Sequence, residues 1–210
     1  MWFWKKAFSK QSITRIINKI PWDNFIIKPE GGFASDRVLK LSIKDKNLCR
    51  KVLKYLNENR HKFSRFIFQE AMKGFLKYPE IRVYWYGGKF AYAIGTIGSA
   101  PVPPRKTGEE RVVRVPKASL EECKKIGRRV LKLLPKTQYK GREIHPTIVR
   151  TDFGCCQGNT LNKLKYFVNE VELQTCGMYG NFTDYPIVPK AAKLFIKSAE
   201  EIMGEKIMRK

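Results

Sequence analysis

The chain has 210 residues, 43% hydrophobic and 12% aromatic, which is enough apolar content for one domain or two small lobes and too much for a disordered chain. Lysine and arginine outnumber aspartate and glutamate by 42 to 19, and the net charge of +23 favours polyanionic partners: nucleic acid, phosphates or an acidic protein. No apolar run reaches a bilayer-spanning length and Met1-Trp-Phe-Trp-Lys-Lys6 has no cleavage pattern, so a soluble, cytoplasmic chain with no membrane partner is expected.

Ser12 to Lys19 places Ile13, Ile16, Ile17 and Ile20 on one face, a short amphipathic helix halted by Pro21. Phe25-Ile-Ile-Lys-Pro29 reads as a strand, Glu30 to Ser35 as a loop with two glycines, and Arg37 to Leu41 as the returning strand. Asp45 caps a helix in which Leu48, Val52 and Leu56 repeat every four residues, ending near Asn59. Phe66 to Glu70 is a further strand. Ile81–Tyr86 and Lys89–Gly95 flank Gly87-Gly88, the signal of a tight hairpin. Ile97 to Glu110, with its prolines and basic residues, reads as a mobile loop, and Arg111 to Val115 as a short strand. Ser119 with Glu122 forms a capping box for a helix turning Leu120, Cys123, Ile126, Val130 and Leu134 inward. A loop around Gly141 leads to two β-rich runs, Thr147–Phe153 and Lys165–Glu172, joined by a polar connection from Gly154 to Leu164. Gly177 to Pro186 is irregular, and a last helix from Pro189 to Met203 is expected to bury Ala192, Phe195, Ala199 and Ile202.

The two β-rich runs carry the chemistry. The first delivers Asp152, the second Glu170 and Glu172, which are two residues apart and so point to one face of a strand. Three carboxylates brought together repel one another unless a hard cation sits between them. An all-oxygen set of this kind suits Mg²⁺, which leaves room for substrate phosphates. Earlier in the chain, Lys28 at a strand end and the backbone at Gly31-Gly32 suit a phosphate tail. Five cysteines without C-x-x-C spacing, Cys155 and Cys156 among them, make neither a disulfide framework nor a zinc site. Two histidines, His61 and His145, leave little material for histidine chemistry.

From Phe25 to about Pro189 the order of these parts resembles the ATP-grasp superfamily, nearest to its ribosomal-protein glutamate ligases and D-alanine–D-alanine ligases. Phe25-Ile-Ile-Lys-Pro29 is similar to the strand with the phosphate lysine, and Glu30 to Ser35 to the glycine-rich lid. Phe68-Gln-Glu-Ala-Met72 resembles the hinge that reads adenine, and Glu80-Ile-Arg82 the acidic-x-Arg strand. Arg150-Thr-Asp152 resembles the ligases' Arg-x-Asp, and Glu170-Val-Glu172 a Glu-x-Asn in which Glu172 replaces the metal-binding Asn.

The resemblance implies an α+β ATP-grasp fold of two lobes, each with a mainly antiparallel sheet and helices, the nucleotide site between them. The expected divisions are an N-terminal helical segment (1–24), a small lobe with the glycine-rich loop (25–78) and a large lobe with the metal site (79–210). ATP and Mg²⁺ are the implied cofactors. Lys28, Gly31, Gly32, Ser35, Gln69, Glu70, Ala71, Met72 and Glu80 would hold the nucleotide. Asp152, Glu170 and Glu172 would hold metal, with Arg82 and Arg150 as catalytic charge stabilisers.

The implied activity is ATP-dependent carboxylate–amine ligation through an acyl phosphate, on an acidic peptide or small acid that suits the basic chain. Residues 1–24 precede Phe25 here, so three alternatives stand for the substrate-binding domain usual in these ligases: a partner supplies it, the basic loop Gly98–Arg111 takes its role, or the sequence is a fragment of a longer chain. The runner-up is a nucleotide-binding pseudoenzyme, or a basic module for nucleic acid or an acidic partner. A nucleotidyltransferase attaching AMP or GMP to a lysine, prompted by Lys28-Pro-Glu-Gly31, is disfavoured: such enzymes need Lys-x-Asp-Gly with a later Glu-Gly-containing strand and a Lys-x-Lys strand, and neither later motif follows in order.

Overall fold

In the computed structural model, residues 2–3, 8–30, 37–74, 78–97, 111–139, 141–157, 164–173 and 187–203 are described. They fall into two compact units, one within residues 1–73 and the other from Gly74 onward.

The first unit starts with helix α1 (Lys10–Ile17), whose Ser9 and Ser12 cap one another: each side chain accepts from the other's backbone N–H. Helix α2 (Leu48–Asn59) begins after Asn47. Asp45 does not cap it directly but accepts from the Asn47 N–H at 2.8 Å and pairs with Lys51 at 2.5 Å. Both helices belong to a core in which Ile13, Ile16, Val52 and Leu56 meet Phe25, Ile27 and Phe66. These last residues come from a sheet of order β1-β4-β2-β3, made of β1 (Trp2–Phe3), β2 (Asn24–Pro29), β3 (Leu39–Ser42) and β4 (Arg65–Glu70). Its pairings are antiparallel, Phe25 opposite Leu41 and Glu70, Ile27 opposite Leu39 and Phe68. Phe25 and Ile27 therefore face the helices, while Ile26 and Lys28 face away.

The second unit is a five-stranded antiparallel sheet of order β11-β10-β5-β6-β7. Its strands are β5 (Glu80–Tyr86), β6 (Lys89–Ile97), β7 (Arg111–Val113), β10 (Ile148–Gln157) and β11 (Lys165–Glu172). A separate hairpin joins β8 (Thr137–Tyr139) to β9 (Arg142–Ile144). That hairpin turns through Gly141 at φ 75°, within the stretch that reads from the sequence as a loop. The β5–β6 turn uses Gly87 and Gly88 at φ 53° and 76°, the left-handed pair that a two-residue hairpin of this twist demands.

Helix α3 (Lys117–Leu133) covers one face of the sheet. Cys123 and Leu131 meet Ile81, Val83, Trp85, Val149 and Phe153 there. Helix α4 (Ile187–Met203) packs Ala191 and Leu194 on the opposite face, against Tyr84, Tyr86, Tyr92 and Ile94.

Two helix readings need correction. Helix α3 starts after Pro116 with no side-chain cap, and Ser119 is buried inside its first turn, accepting from the Tyr166 hydroxyl at 2.9 Å. A core hydrogen bond has taken the hydroxyl that the capping box needed. On α4 the buried positions are Ala191 and Ser198, while Ala192 is exposed and Phe195 is 45% exposed. Of the loop read at Ile97–Glu110, residues 98–110 lie outside the described residues, as does the irregular stretch read at Gly177–Pro186.

Candidate functional site

Pairing across an antiparallel sheet puts opposite residues on the same face. In the second unit Asp152 lies opposite Arg82 on β5 and opposite Glu170 on β11, and Arg150 lies opposite Tyr84 and Glu172. Glu80, Arg82, Arg150, Asp152, Glu170 and Glu172 thus share one face of three adjacent strands. It is the face that α4 covers further along, at its tyrosine-rich end.

A bulge completes the set. The register of β10 and β11 slips between Asp152 and Phe153, because Phe153 pairs with Val168 and leaves Asn169 as the extra residue. The slip turns the Asn169 side chain toward Glu80, to which its Nδ2 donates at 3.2 Å. Sequence alone gave no sign of this residue.

The cluster is buried and its charges are matched. Glu80, Arg82, Arg150 and Asp152 are each at most 7% exposed. Arg82 donates from Nε and Nη2 to Glu80 Oε2 at 3.1 and 3.0 Å. Arg150 grips Asp152 with both ends of its fork, Nε to Oδ1 at 2.8 Å and Nη2 to Oδ2 at 2.7 Å. Weaker electrostatic links join Arg82 to Asp152 at 3.9 Å and Arg150 to Glu172 at 3.7 Å. The two guanidinium groups balance the two buried carboxylates, Glu80 and Asp152, while Glu170 and Glu172 add two more negative charges to the same face. Burial pushes the Asp152 carboxyl up to about 6. Arg150, and less strongly Arg82, pull against that shift, while Glu80 adds to it. Burial alone would lower Arg150, but the Asp152 carboxylate holds the guanidinium above its ordinary value.

Asp152, Glu170 and Glu172 were expected to gather around Mg²⁺. They share a face, yet among the described residues no group of three acidic, histidine or cysteine side chains is placed to hold a metal ion. Asp152 has both oxygens committed to Arg150, and Glu170 is exposed at the sheet's edge strand. The donor set fits Mg²⁺ in kind, being all oxygen and on neighbouring strands. To ligate one, Asp152 would give up part of its Arg150 fork.

In the first unit, Lys28 and Gln69 share the sheet face turned away from α1 and α2, since Gln69 pairs with Ile26 and Lys28 with Ile67. Glu70, opposite Phe25, lies on the other face. The Ala71 N–H donates to the Asn24 carbonyl at 3.0 Å, extending the β2–β4 ladder, so it is not a free donor for a base. Gly31, Gly32 and Ser35 lie outside the described residues, but the ends of their segment are tied down. Glu30 binds Arg65 through its backbone N–H and through its carboxylate, each at 3.0 Å. Arg37, in the left-handed region at φ 57°, donates to Asn59 Oδ1 at 2.7 Å, and its carbonyl accepts from the Tyr55 hydroxyl. These anchors went unread in the sequence, for they join residues far apart in the chain.

No family model matches the sequence, and no curated protein does. Solved structures do. D-cycloserine synthetase DcsG superposes with a TM-score of 0.61 at 14% identity, over 90% of this chain and 61% of its own. The D-alanine–D-alanine ligase of Bacillus anthracis complexed with ATP gives 0.53 at 17%, over 98% and 58%. The ATP-grasp ligase PsnB complexed with minimal precursor, Mg and ADP gives 0.52 at 19%, over 90% and 51%. The chain has the ATP-grasp fold.

It spans between about half and three-fifths of the length of these ATP-grasp structures. Within the fold, the buried Arg–carboxylate cluster occupies the strands that the sequence singles out by Glu80-Ile-Arg82, Arg150-Thr-Asp152 and Glu170-Val-Glu172. Among the described residues no helix is long and apolar enough to cross a membrane.

Proposed function

We propose that the chain is an ATP-dependent carboxylate–amine ligase. The γ-phosphoryl of ATP passes to an oxygen of an acceptor carboxylate, releasing ADP. The amine nitrogen then attacks the acyl carbon of that acyl phosphate, expelling inorganic phosphate and losing a proton to leave an amide. The observation that carries this reading is the pairing of two buried guanidinium groups, Arg82 and Arg150, each fixed by a carboxylate on its own strand.

Cations held rigidly in a buried site stabilise charge that develops on a phosphoryl or tetrahedral centre, because no reorganisation is needed when it appears. Arg150 Nη1 donates to no described residue and is the donor left for such an anion. Lys28 and the segment Gly31–Ser35 would take the phosphate tail, Gln69 to Met72 the base, and Glu80 the ribose. Asp152, Glu170 and Glu172 would hold Mg²⁺, which when bound neutralises phosphate charge. The acceptor is best matched by an acidic peptide or small acid, given the net charge of +23. That PsnB has been crystallised with a minimal precursor supports the peptide version.

A second reading, nucleotide binding without turnover, rests on one observation: Asp152 is committed to Arg150 and not to a carboxylate cluster. Calorimetry of ATP binding with and without Mg²⁺, on wild type and Glu170→Ala, separates the two. The ligase reading expects Mg²⁺-dependent binding that collapses in the variant, and then ADP release stimulated by an acidic acceptor and an amine. Binding indifferent to Mg²⁺ and to the variant would establish the second reading. No binding at all would remove both.

A further inference from the structure

Helix α3 buries Ser119, Cys123, Gly127 and Leu131 and turns a very different face outward. At 100° per residue, Lys117, Glu121, Lys125, Arg128, Arg129 and Lys132 fall within about a third of the helix circumference. All six are exposed, five cations to one acid. The acid is already engaged, since Glu121 pairs with Lys124 at 2.7 Å. Arg128 lies near enough to help lower the Glu121 carboxyl, but Lys125, Arg128, Arg129 and Lys132 form no ion pair or hydrogen bond among the described residues.

We infer that this stripe is a docking surface for the phosphate backbone of a nucleic-acid duplex, bound without regard to sequence. Lys125 to Lys132 spans about 10 Å of helix and carries four cations. That is roughly one per 3 Å, close to the axial spacing of about 3.4 Å between phosphates of one duplex strand. An acidic protein partner is the weaker fit. Specific protein interfaces are built on buried aromatic or apolar anchors, and within this arc the one uncharged side chain is Ala118, too small to serve as an anchor. Single strands are bound by aromatic stacking platforms, and the arc has none.

The stripe also lies on the opposite side of the sheet from the Arg82–Arg150 cluster: α3 packs on Ile81, Val83 and Trp85, whose side chains alternate with Glu80 and Arg82. A duplex on α3 therefore leaves the proposed ligase site open, and the two activities can be scored separately.

The test is fluorescence anisotropy of a labelled duplex of roughly 20 base pairs, titrated with the full chain from about 50 to 200 mM salt. Four phosphate contacts predict a slope of log affinity on log salt of roughly −3.6, an affinity loss of about 100-fold across that range. The variant Lys125→Gln, Arg128→Gln, Arg129→Gln, Lys132→Gln should lose most of the affinity and flatten the slope. The double variant Arg128→Gln, Arg129→Gln should lower it by about two. A control on the first unit, Lys44→Gln, Lys46→Gln, Arg50→Gln, Lys62→Gln, removes the same charge from exposed positions and should keep the wild-type slope. Equal losses in stripe and control variants would mean net charge alone, and overturn the proposal. So would a stripe variant that binds like wild type, or displacement of the duplex by polyglutamate at equal or lower charge concentration.

Discussion

Trp85 is 1% exposed, and its indole N–H donates to Thr151 Oγ1 on the neighbouring strand at 2.9 Å. Indole has no other polar atom, so removing that acceptor strands a buried donor. Thr151→Val keeps the shape and should cost about 1–3 kcal/mol. In urea this is read as a lower midpoint at unchanged slope, with Thr151→Ser close to wild type. An unshifted midpoint in Thr151→Val would mean that water or another group takes the proton.

One residue along β10 and on the opposite face of the sheet, Asp152 makes a prediction in pH. Its carboxyl is raised from 3.8 to about 6 by burial, against Arg150 and Arg82 and with Glu80. A raised acid holds its proton longer folded than unfolded, so its contribution to stability is complete below 3.8 and is lost as pH rises through about 6. Melting temperatures of wild type and Asp152→Asn in chelator, followed across that window, should diverge at the expense of wild type as pH rises. A gap moving toward wild type would show that the Arg150 pairing outweighs burial and that the carboxyl titrates low.

At the scale of elements, Gly127 tests how α3 meets the sheet. A glycine inside a helix normally costs up to about 1 kcal/mol relative to alanine. Here an added Cβ would lie 2.4 Å from Trp85 Cζ2, in a ring that is itself packed and held by Thr151. The usual sign should therefore reverse: Gly127→Ala is expected to destabilise by about 1–3 kcal/mol through overpacking. A raised melting temperature in that variant would mean that Trp85 can shift.

The same contact shows why the sequence read α3 as a helix and placed Cys123, Ile126 and Leu134 on its inner face, but missed the centre of that face. The line of closest approach runs through Ser119 and Gly127, neither of them apolar in the way a periodicity search rewards. On α4 apolar residues occur nearly all round, at Ala191, Ala192, Leu194, Phe195 and Ile196, so no single stripe stands out and the expected face fell one residue off. Strands fared better. Alternation in Glu80-Ile-Arg-Val-Tyr-Trp-Tyr86 separates the two faces outright, and from that alone Glu80 and Arg82 could be placed together. The bulge that adds Asn169 could not, since it depends on how two strands pair and leaves no mark on either one.

For the whole molecule the dominant fact is charge. Order of motifs along the chain was enough to indicate the fold, because Lys28, Arg82, Arg150 and the carboxylates fall on strands in that order. The pairs Arg82–Glu80 and Arg150–Asp152 lie two residues apart on single strands, whereas the links Arg82–Asp152 and Arg150–Glu172 depend on pairing registers that a sequence does not display. Net charge, by contrast, is fully legible, and +23 on 210 residues means that folding concentrates like charges. The screening length is about 30 Å at 10 mM salt and about 8 Å at 150 mM, so repulsion across the protein is felt at the first and largely screened at the second. The buried pairs Arg82–Glu80 and Arg150–Asp152 are shielded from solvent and change little over the same range. Stability should therefore rise with added sodium chloride from 10 to 150 mM by several degrees in melting temperature, roughly the effect of 1 kcal/mol in a chain of this size. The four-residue α3 variant lowers the net charge from +23 to +19 and should melt higher than wild type at low salt, with a shallower salt dependence. Melting temperatures that fall with salt would mean that attractive surface pairs such as Lys51–Asp45 and Lys136–Glu143 outweigh the excess positive charge.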